Sequence, residues 1–402
     1  YLSLSMRRLY FDHAASTPVG PRVLRAMRPY FSREFGNPGS LHSFGQKAIA
    51  AVDAARENIG KLIGAKHFRE VIFTSGATEA NNLALRGAVE FYKKNHLTGE
   101  GADTSARPRI IISAIEHESV FETAKILEQQ GAEVIKLPVN KEGVIDIVAL
   151  KDALNEHTVV ISVMHVNNET GTIQPLREIK FMIDAFRKES RRPEYPLFHT
   201  DAAQSFAYLY CDVELLGVDM MTLSGHKMYG PKGVGALYVR QRVPLVGQVS
   251  GGGQEFGLRS GTENVPSIVG FAKAAQLAAA ERGKTATRIT ALRDELWRRI
   301  KSIAPAAEIN GPAGDAKAPH ILNIYFPGHA AQDLLTRFDR AGLAASSGSA
   351  CRSRAVESSY VIEALGYDKA RAASSIRFSL GKGTTKRHIV TAVRIIERAL
   401  AK

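Results

Sequence analysis

The sequence has 402 residues, 45% of them hydrophobic and 23% charged, with 53 Lys and Arg against 40 Asp and Glu for a formal net charge of +13. That apolar fraction excludes a disordered or fibrous chain, and the length suits two or three globular domains of roughly 100 to 200 residues each. Two cysteines, Cys211 and Cys351, exclude a disulfide framework and lack the clustering of a zinc site, which fits a reducing compartment.

Tyr1 to Ser5, ahead of Met6-Arg7-Arg8, reads as an upstream extension without the pattern of a secretory signal. From residue 44 to 64 the apolar positions Ala48, Ile49, Val52, Ala55, Ile59, Leu62 and Ile63 recur at three- and four-residue steps, which predicts a helix. Short apolar runs then alternate with such helices: Val71-Ile72-Phe73, Ile110-Ile111-Ile112, Val134-Ile135, Val159 to Val163, Leu197-Phe198 and Met220 to Leu223. They predict buried strands of a mostly parallel sheet covered on both faces, with ligands at the carboxyl ends of the strands. Asn95 to Pro108 reads as a surface insertion. Helical patterning resumes from Pro266 to Ile303, and residues 320 to 402 add a smaller strand and helix set. No run approaches the roughly 18 apolar residues of a membrane helix. Basic residues are scattered, with short groups at Arg7-Arg8, Arg191-Arg192 and Arg298-Arg299-Lys301, so the charge predicts a solvated surface rather than a nucleic-acid site.

Chemistry concentrates in a few motifs. Ser224-Gly225-His226-Lys227 lies in a turn between the run ending at Leu223 and a further strand, Val234 to Val239. A lysine held beside apolar strands loses proton affinity and becomes a nucleophile and base, suited to an aldehyde cofactor. An isolated turn lysine is otherwise an ordinary surface residue, so its context decides. Upstream, Asp201 ends the Leu197-Phe198-His199-Thr200 strand, where a carboxylate is either a helix cap or the partner of a pyridinium nitrogen. Phe73-Thr74-Ser75-Gly76-Ala77-Thr78 offers a strand, a small-residue turn and a helix start, a place for a phosphate.

With these motifs in view, the sequence resembles the cysteine desulfurases, pyridoxal 5'-phosphate (PLP) enzymes of aminotransferase class V, from about Leu9 to Leu400. The matching motifs, besides those above, are Phe11-Asp12-His13-Ala14-Ala15-Ser16-Thr17-Pro18, Phe35-Gly36-Asn37-Pro38, Glu116-His117, His165 to Gly171 and Asp201 to Gln204. Further on come Arg259 to Glu263, Ser346 to Cys351 and Ser375 to Gly381. The resemblance implies an α/β protein of PLP-dependent fold type I: a large domain, residues 20–280, with a mostly parallel seven-stranded sheet between helices, and a smaller α+β domain from residues 1–19 and 281–402. It assigns Lys227 as the lysine that holds the cofactor, Asp201 as the ring-nitrogen partner and His117 as the stacking, proton-moving histidine. Asn168 and Gln204 correspond to cofactor and substrate contacts, and Arg377 to the clamp for the substrate carboxylate. Ala77, Thr78, Ser224 and His226 fall at the phosphate, and Thr262 matches a phosphate ligand donated across a homodimer interface.

The expected reaction converts L-cysteine to L-alanine and leaves the sulfur as a persulfide on Cys351, in a small-residue loop at 345–359 flanked by Arg352 and Arg354. The loop spacing is similar to the subgroup that supplies sulfur-acceptor and iron-sulfur scaffold proteins. A cytoplasmic setting is expected, or the mitochondrial matrix if a transit peptide has been removed. Four features depart from the family pattern: Phe256 in place of arginine, Lys386-Arg387-His388 in place of an acidic run, the insertion from Asn95 to Pro108, and a chain that stops at Lys402 without a long tail. They are expected to alter docking surfaces and leave the chemistry intact. A selenocysteine lyase or aminotransferase on the same fold is the nearest alternative, against which Cys351 speaks. A non-catalytic basic binding protein is the alternative from another class. Cys211 matches no family motif and reads as structural.

Overall fold

The computed structural model describes residues 8–97, 107–348 and 358–401. In chain order their strands are β1 (Leu9–Tyr10), β2 (Val71–Thr74), β3 (Arg109–Ser113), β4 (Glu133–Leu137), β5 (Thr158–Ser162), β6 (Leu197–Asp201), β7 (Met220–Ser224), β8 (Gly235–Val239), β9 (Glu308–Asn310), β10 (Ile321–Tyr325), β11 (Leu343–Ala344) and β12 (Ser375–Ser379). A seven-stranded sheet has the order β2-β8-β7-β6-β5-β3-β4. Its β3–β7 pairings are parallel, whereas β8 runs antiparallel to both β2 and β7. Apolar runs predict the strands but not the reversed direction of β8, because a strand buried on both faces has no pattern that distinguishes the two directions.

Successive residues in each strand feed opposite cores. Ile110, Ile112, Val160, Leu197 and Met220 pack with Leu83, Val89, Val120 and Leu127 of the Ala77–His96 and Glu118–Gln129 helices. Ile111, Ile161, Phe198 and Met221 pack on the other face with Val52 and Ile59 of the Ser43–Ile63 helix, Ile179 and Ile183 of Leu176–Glu189, and Phe271 of Val265–Ile303. The Ser43–Ile63 helix ends where its periodicity ends, at Gly64, whose φ of 73° needs a residue without a Cβ.

The Val265–Ile303 helix is one continuous element of 39 residues. Its first half enters the main core, and Ile289, Leu292, Leu296 and Ile300 join a second core with Phe11, Leu322, Phe338, Phe378, Ile389 and Ile396. That core sits on the antiparallel sheet β12-β10-β9, and β1 pairs with β11 to bring the amino-terminal strand beside it. The predicted insertion at 95–108 begins inside the helix that ends at His96, and residues 98–106 of it lie outside the described residues. No helix among the described residues is long and apolar enough to cross a membrane.

Candidate active site

The carboxyl ends of β2, β5, β6 and β7 and the turn after β3 open on one cavity of about 550 Å³. Ala77, Thr78, His117, Asn168, Asp201, Gln204, Ser224, His226, Lys227 and Arg377 all line it. Thr262 is exposed and is not among the lining residues, and Cys351 lies outside the described residues.

At one end the chain leaves β2 through Ser75 and Gly76 into the Ala77–His96 helix. Gly76 has φ 154° and ψ −179°, a conformation essentially confined to glycine. The turn presents the first amides of a 20-residue helix to the cavity, the arrangement that favours an anion. Ser224 Oγ, buried at the end of β7, has no hydrogen-bond partner and faces the same cavity. Burial and then the neighbouring Lys227 and Lys232 hold His226 down to about 4, so its ring is neutral.

Deeper in, Asp201 accepts from Ala203 N at 2.8 Å and from Asn81 Nδ2 at 2.9 Å. Asn81 also donates to Ser119 Oγ at 2.8 Å, and that hydroxyl lies 2.9 Å from His117 Nδ1. His117 is the amino-terminal cap of the Glu118–Gln129 helix, accepting from Ser119 N at 3.1 Å, rather than the end of β3. Burial pulls its ring below the usual histidine value, opposed by Asp201 and assisted by Lys227. Lys227, in the Gly225–Lys227 turn after β7, donates from Nζ to Ala14 O and to Ala15 O, the latter at 2.9 Å. Gln204 donates to Ala14 O at 2.9 Å, and its Oε1 lies 3.3 Å from Nε2 of His320, which stacks on Tyr208.

Arg377, central in β12 and buried, donates to Asp12 Oδ1 at 2.8 Å and to Asn168 O at 2.9 Å. Its Nε is buried without a partner, as is Asn168 Oδ1. The sequence assigns no role to Asn81, Ser119, Asp12, Lys232 or the carbonyls of Ala14 and Ala15, although Asp12, Ala14 and Ala15 lie in a matching motif. An asparagine in the small-residue stripe Ala80, Ala84, Ala88 was the one available signal, since a polar side chain there needs a buried partner. The other cysteine, Cys211, is buried and 3.4 Å from Ser205 Oγ, and burial pushes its thiol up to about 11, consistent with a structural residue.

Several buried groups around the site make stability depend on pH. Burial lowers His165 and His199 to about 4, as it does His226, and lowers His320 well below 6.5. These rings stay neutral while the unfolded chain takes up protons, so stability falls as pH drops below about 6.5 and continues to fall toward 4. Burial raises Glu116 well above 4.5, and this single carboxyl acts in the opposite sense. The thermal midpoint of the protein is expected to drop on the order of 5 °C between pH 7 and pH 5. A midpoint unchanged over that interval would show that these histidines are protonated in the fold.

The aminotransferase class-V family matches residues 9–391. Over 384 residues the chain is 45% identical to "Cysteine desulfurase, mitosomal" of Trachipleistophora hominis, covering 94% of this chain and 82% of that protein. Over 397 residues it is 44% identical to "Cysteine desulfurase IscS" of Anaeromyxobacter sp. (strain Fw109-5), covering 98% and 93%. The chain belongs to the cysteine desulfurase family of aminotransferase class V. Among solved structures of similar proteins, "NIFS-LIKE PROTEIN" superposes with a TM-score of 0.88 at 34% identity, covering 98% of this chain and 99% of its own. At that coverage the α/β fold with its mostly parallel seven-stranded sheet is that of a solved NifS-like protein.

Proposed function

We propose that the chain is a PLP-dependent desulfurase that converts L-cysteine to L-alanine. Cys351 carries the sulfur as a persulfide to an acceptor protein, for iron-sulfur clusters and other sulfur-containing cofactors. The observation that carries this reading is the convergence of Lys227, Asp201, His117 and Arg377 on one cavity.

The residues present suit the cofactor. Ser224 Oγ and Asn168 Oδ1 are buried polar atoms without a protein partner on the cavity wall, a cost that a ligand would remove. Ala77, Thr78, Ser224 and His226 would hold its phosphate, Asp201 its ring nitrogen, and Lys227 its aldehyde carbon. When bound, PLP supplies an electron sink for the substrate's α-carbon.

The chain's own groups do the rest. Arg377 binds the substrate carboxylate, with Nε as a donor free for it. Lys227 Nζ takes the α-proton and returns it, and Asp201 keeps the ring-nitrogen proton in place. His117 takes the thiol proton, for which a neutral ring is required. The Cys351 thiolate bonds to the substrate sulfur as the carbon–sulfur bond breaks. Its electron pair stays with the carbon skeleton, which gains protons to become alanine, and the sulfur is oxidised to the sulfane level.

The division into residues 20–280 and 1–19 with 281–402 is part of this reading, supported by the separate cores on the two sheets. So is a homodimer. Thr262 is exposed and does not line the cavity, and Phe31, Phe35, Leu41 and Phe44 stand 49–92% exposed within one short stretch, as a protein interface would explain. The net charge of +13 suits acidic acceptor proteins in a reducing compartment.

Mass spectrometry after incubation of the holoenzyme with L-cysteine is expected to find one extra sulfur on Cys351, formed together with alanine. Extra sulfur on Cys211 alone, or alanine released without any protein-bound sulfur, would overturn the reading.

A further inference from the structure

Gln204 lines the cavity, and behind it stands a histidine that does not. His320, 2% exposed, precedes β10 of the smaller sheet, and its Nε2 lies 3.3 Å from Gln204 Oε1. The direction of that contact follows from its far end. Gln204 meets Ala14 O at 2.9 Å, and a backbone carbonyl only accepts, so the amide NH2 faces Ala14 and the amide oxygen faces His320. An amide oxygen also only accepts. His320 Nε2 therefore carries the proton, and Nδ1 is the bare nitrogen, buried without a partner among the described residues.

The ring is held on several sides. It stacks on Tyr208 with centroids 4.0 Å apart and planes 10° from parallel, and Tyr208 in turn donates to Leu380 O at 3.4 Å. Leu380 N donates to His320 O at 2.8 Å, and the next residue, Ile321, pairs with Ser379 of β12. Burial, with positive charge from His13, Arg377, Lys227 and Arg293, keeps the ring neutral, with one N–H to give.

A buried imidazole with an idle nitrogen costs stability that an apolar ring of the same shape would not. What the imidazole adds is a single donor aimed at one atom. It holds the Gln204 amide one way round, with one hydrogen of the NH2 on Ala14 O and the other left for the cavity. The Ala14 carbonyl also takes Lys227 Nζ, so the glutamine and the lysine meet on one oxygen. We propose that His320 is a positioning residue that, as an Nε2–H donor, fixes the Gln204 amide with its NH2 toward the cofactor site. The inference rests on the reading of Gln204 as a cofactor contact, in which the NH2 donates to the ring hydroxyl oxygen of PLP. His320 acts through Gln204, because it is not itself among the residues that line the cavity.

The test uses the full chain. Nitrogen-15 NMR of histidine-labelled protein, with the His320 signals identified by their loss in His320→Gln, should show the Nε2–H tautomer. That tautomer is read in the wild type, so it stands even where a variant does not fold. Equilibrium dialysis of the cofactor-free protein against PLP should show binding weakened about threefold to tenfold in His320→Phe, the worth of one neutral hydrogen bond. His320→Gln, whose amide nitrogen stands as far from the backbone as Nε2, should restore it. In a Gln204→Ala background His320→Phe should weaken binding no further, whereas a merely structural histidine would give the same loss in both backgrounds. A wild-type His320 protonated at Nδ1, equal losses in the two backgrounds, or a His320→Phe protein that binds PLP as the wild type does while Gln204→Ala binds it weakly overturns this inference alone. A Gln204→Ala protein that binds PLP as tightly as the wild type overturns the cofactor contact and this inference with it. A wild-type chain that does not bind PLP overturns the proposed function as well.

Discussion

Replacing Lys227 by alanine should lower alanine release from L-cysteine by at least about 10³-fold, the loss expected when a group serves as both covalent anchor and proton carrier. Lys227 is held for that use. Its Nζ donates to two carbonyls, Ala14 O and Ala15 O, inside a cavity that also contains Asp201 and His117. The other lysine on the lining, Lys232, is exposed. The assay is alanine production together with the visible absorbance of the bound cofactor, which should shift when the covalent link is lost. Because Lys227 makes no contribution to either apolar core, the thermal midpoint of the cofactor-free variant should stay near that of the wild type. Activity within tenfold of wild type would mean that another amine does this work, and a Lys227→Ala/Lys232→Ala double variant would then identify it.

The parts of this site that were legible in the sequence are those built from neighbours. Lys227 follows β7, Asp201 ends β6, and Ala77 and Thr78 begin a helix after β2, so a short apolar run and the residue after it are enough to place each one. Contacts between distant segments were not legible. Asn81 reaches Asp201 across 120 positions and Arg377 reaches Asp12 across 365, and no local pattern encodes either meeting. Glu169 illustrates the same limit: it lies in a motif that the sequence singled out for Asn168, while Ser359, which donates to its carboxylate, is 190 positions away. Thr262 and Cys351 were legible only through family resemblance, since neither residue type in its surroundings dictates a role.

Phe256, which departs from the family pattern and is 41% exposed, lies against a buried ion pair that carries the second large effect. Glu255 and Phe256 have φ of 49° and 60°, left-handed values that cost a residue with a side chain roughly 1–2 kcal/mol each. What holds them there is Arg56. Its guanidinium binds Glu255 through two bonds of 2.6 and 2.8 Å, with both side chains nearly inaccessible. It also packs against the rings of Phe73 at 4.8 Å and Phe256 at 5.0 Å. Glu255 Oε2 takes the amide of Phe73 at 2.9 Å, so the pair ties the 255–257 turn to β2 just before the helix start on the cavity. Stacking of Phe256 on Arg56, worth on the order of 0.5–2 kcal/mol, offsets part of that backbone cost.

Glu255→Ala leaves Arg56 charged and buried with only the Val71 carbonyl as a hydrogen-bond acceptor, and should destabilise the protein by about 3–5 kcal/mol. An Arg56→Met/Glu255→Met double variant removes both charges and should lose less than the single variant, because breaking such a pair costs more than replacing it. Urea denaturation of the holoenzymes measures both. A single variant that loses less than about 1 kcal/mol would mean that the turn is held by the aromatic stack alone. A double variant worse than the single would mean instead that the pair itself contributes net stability.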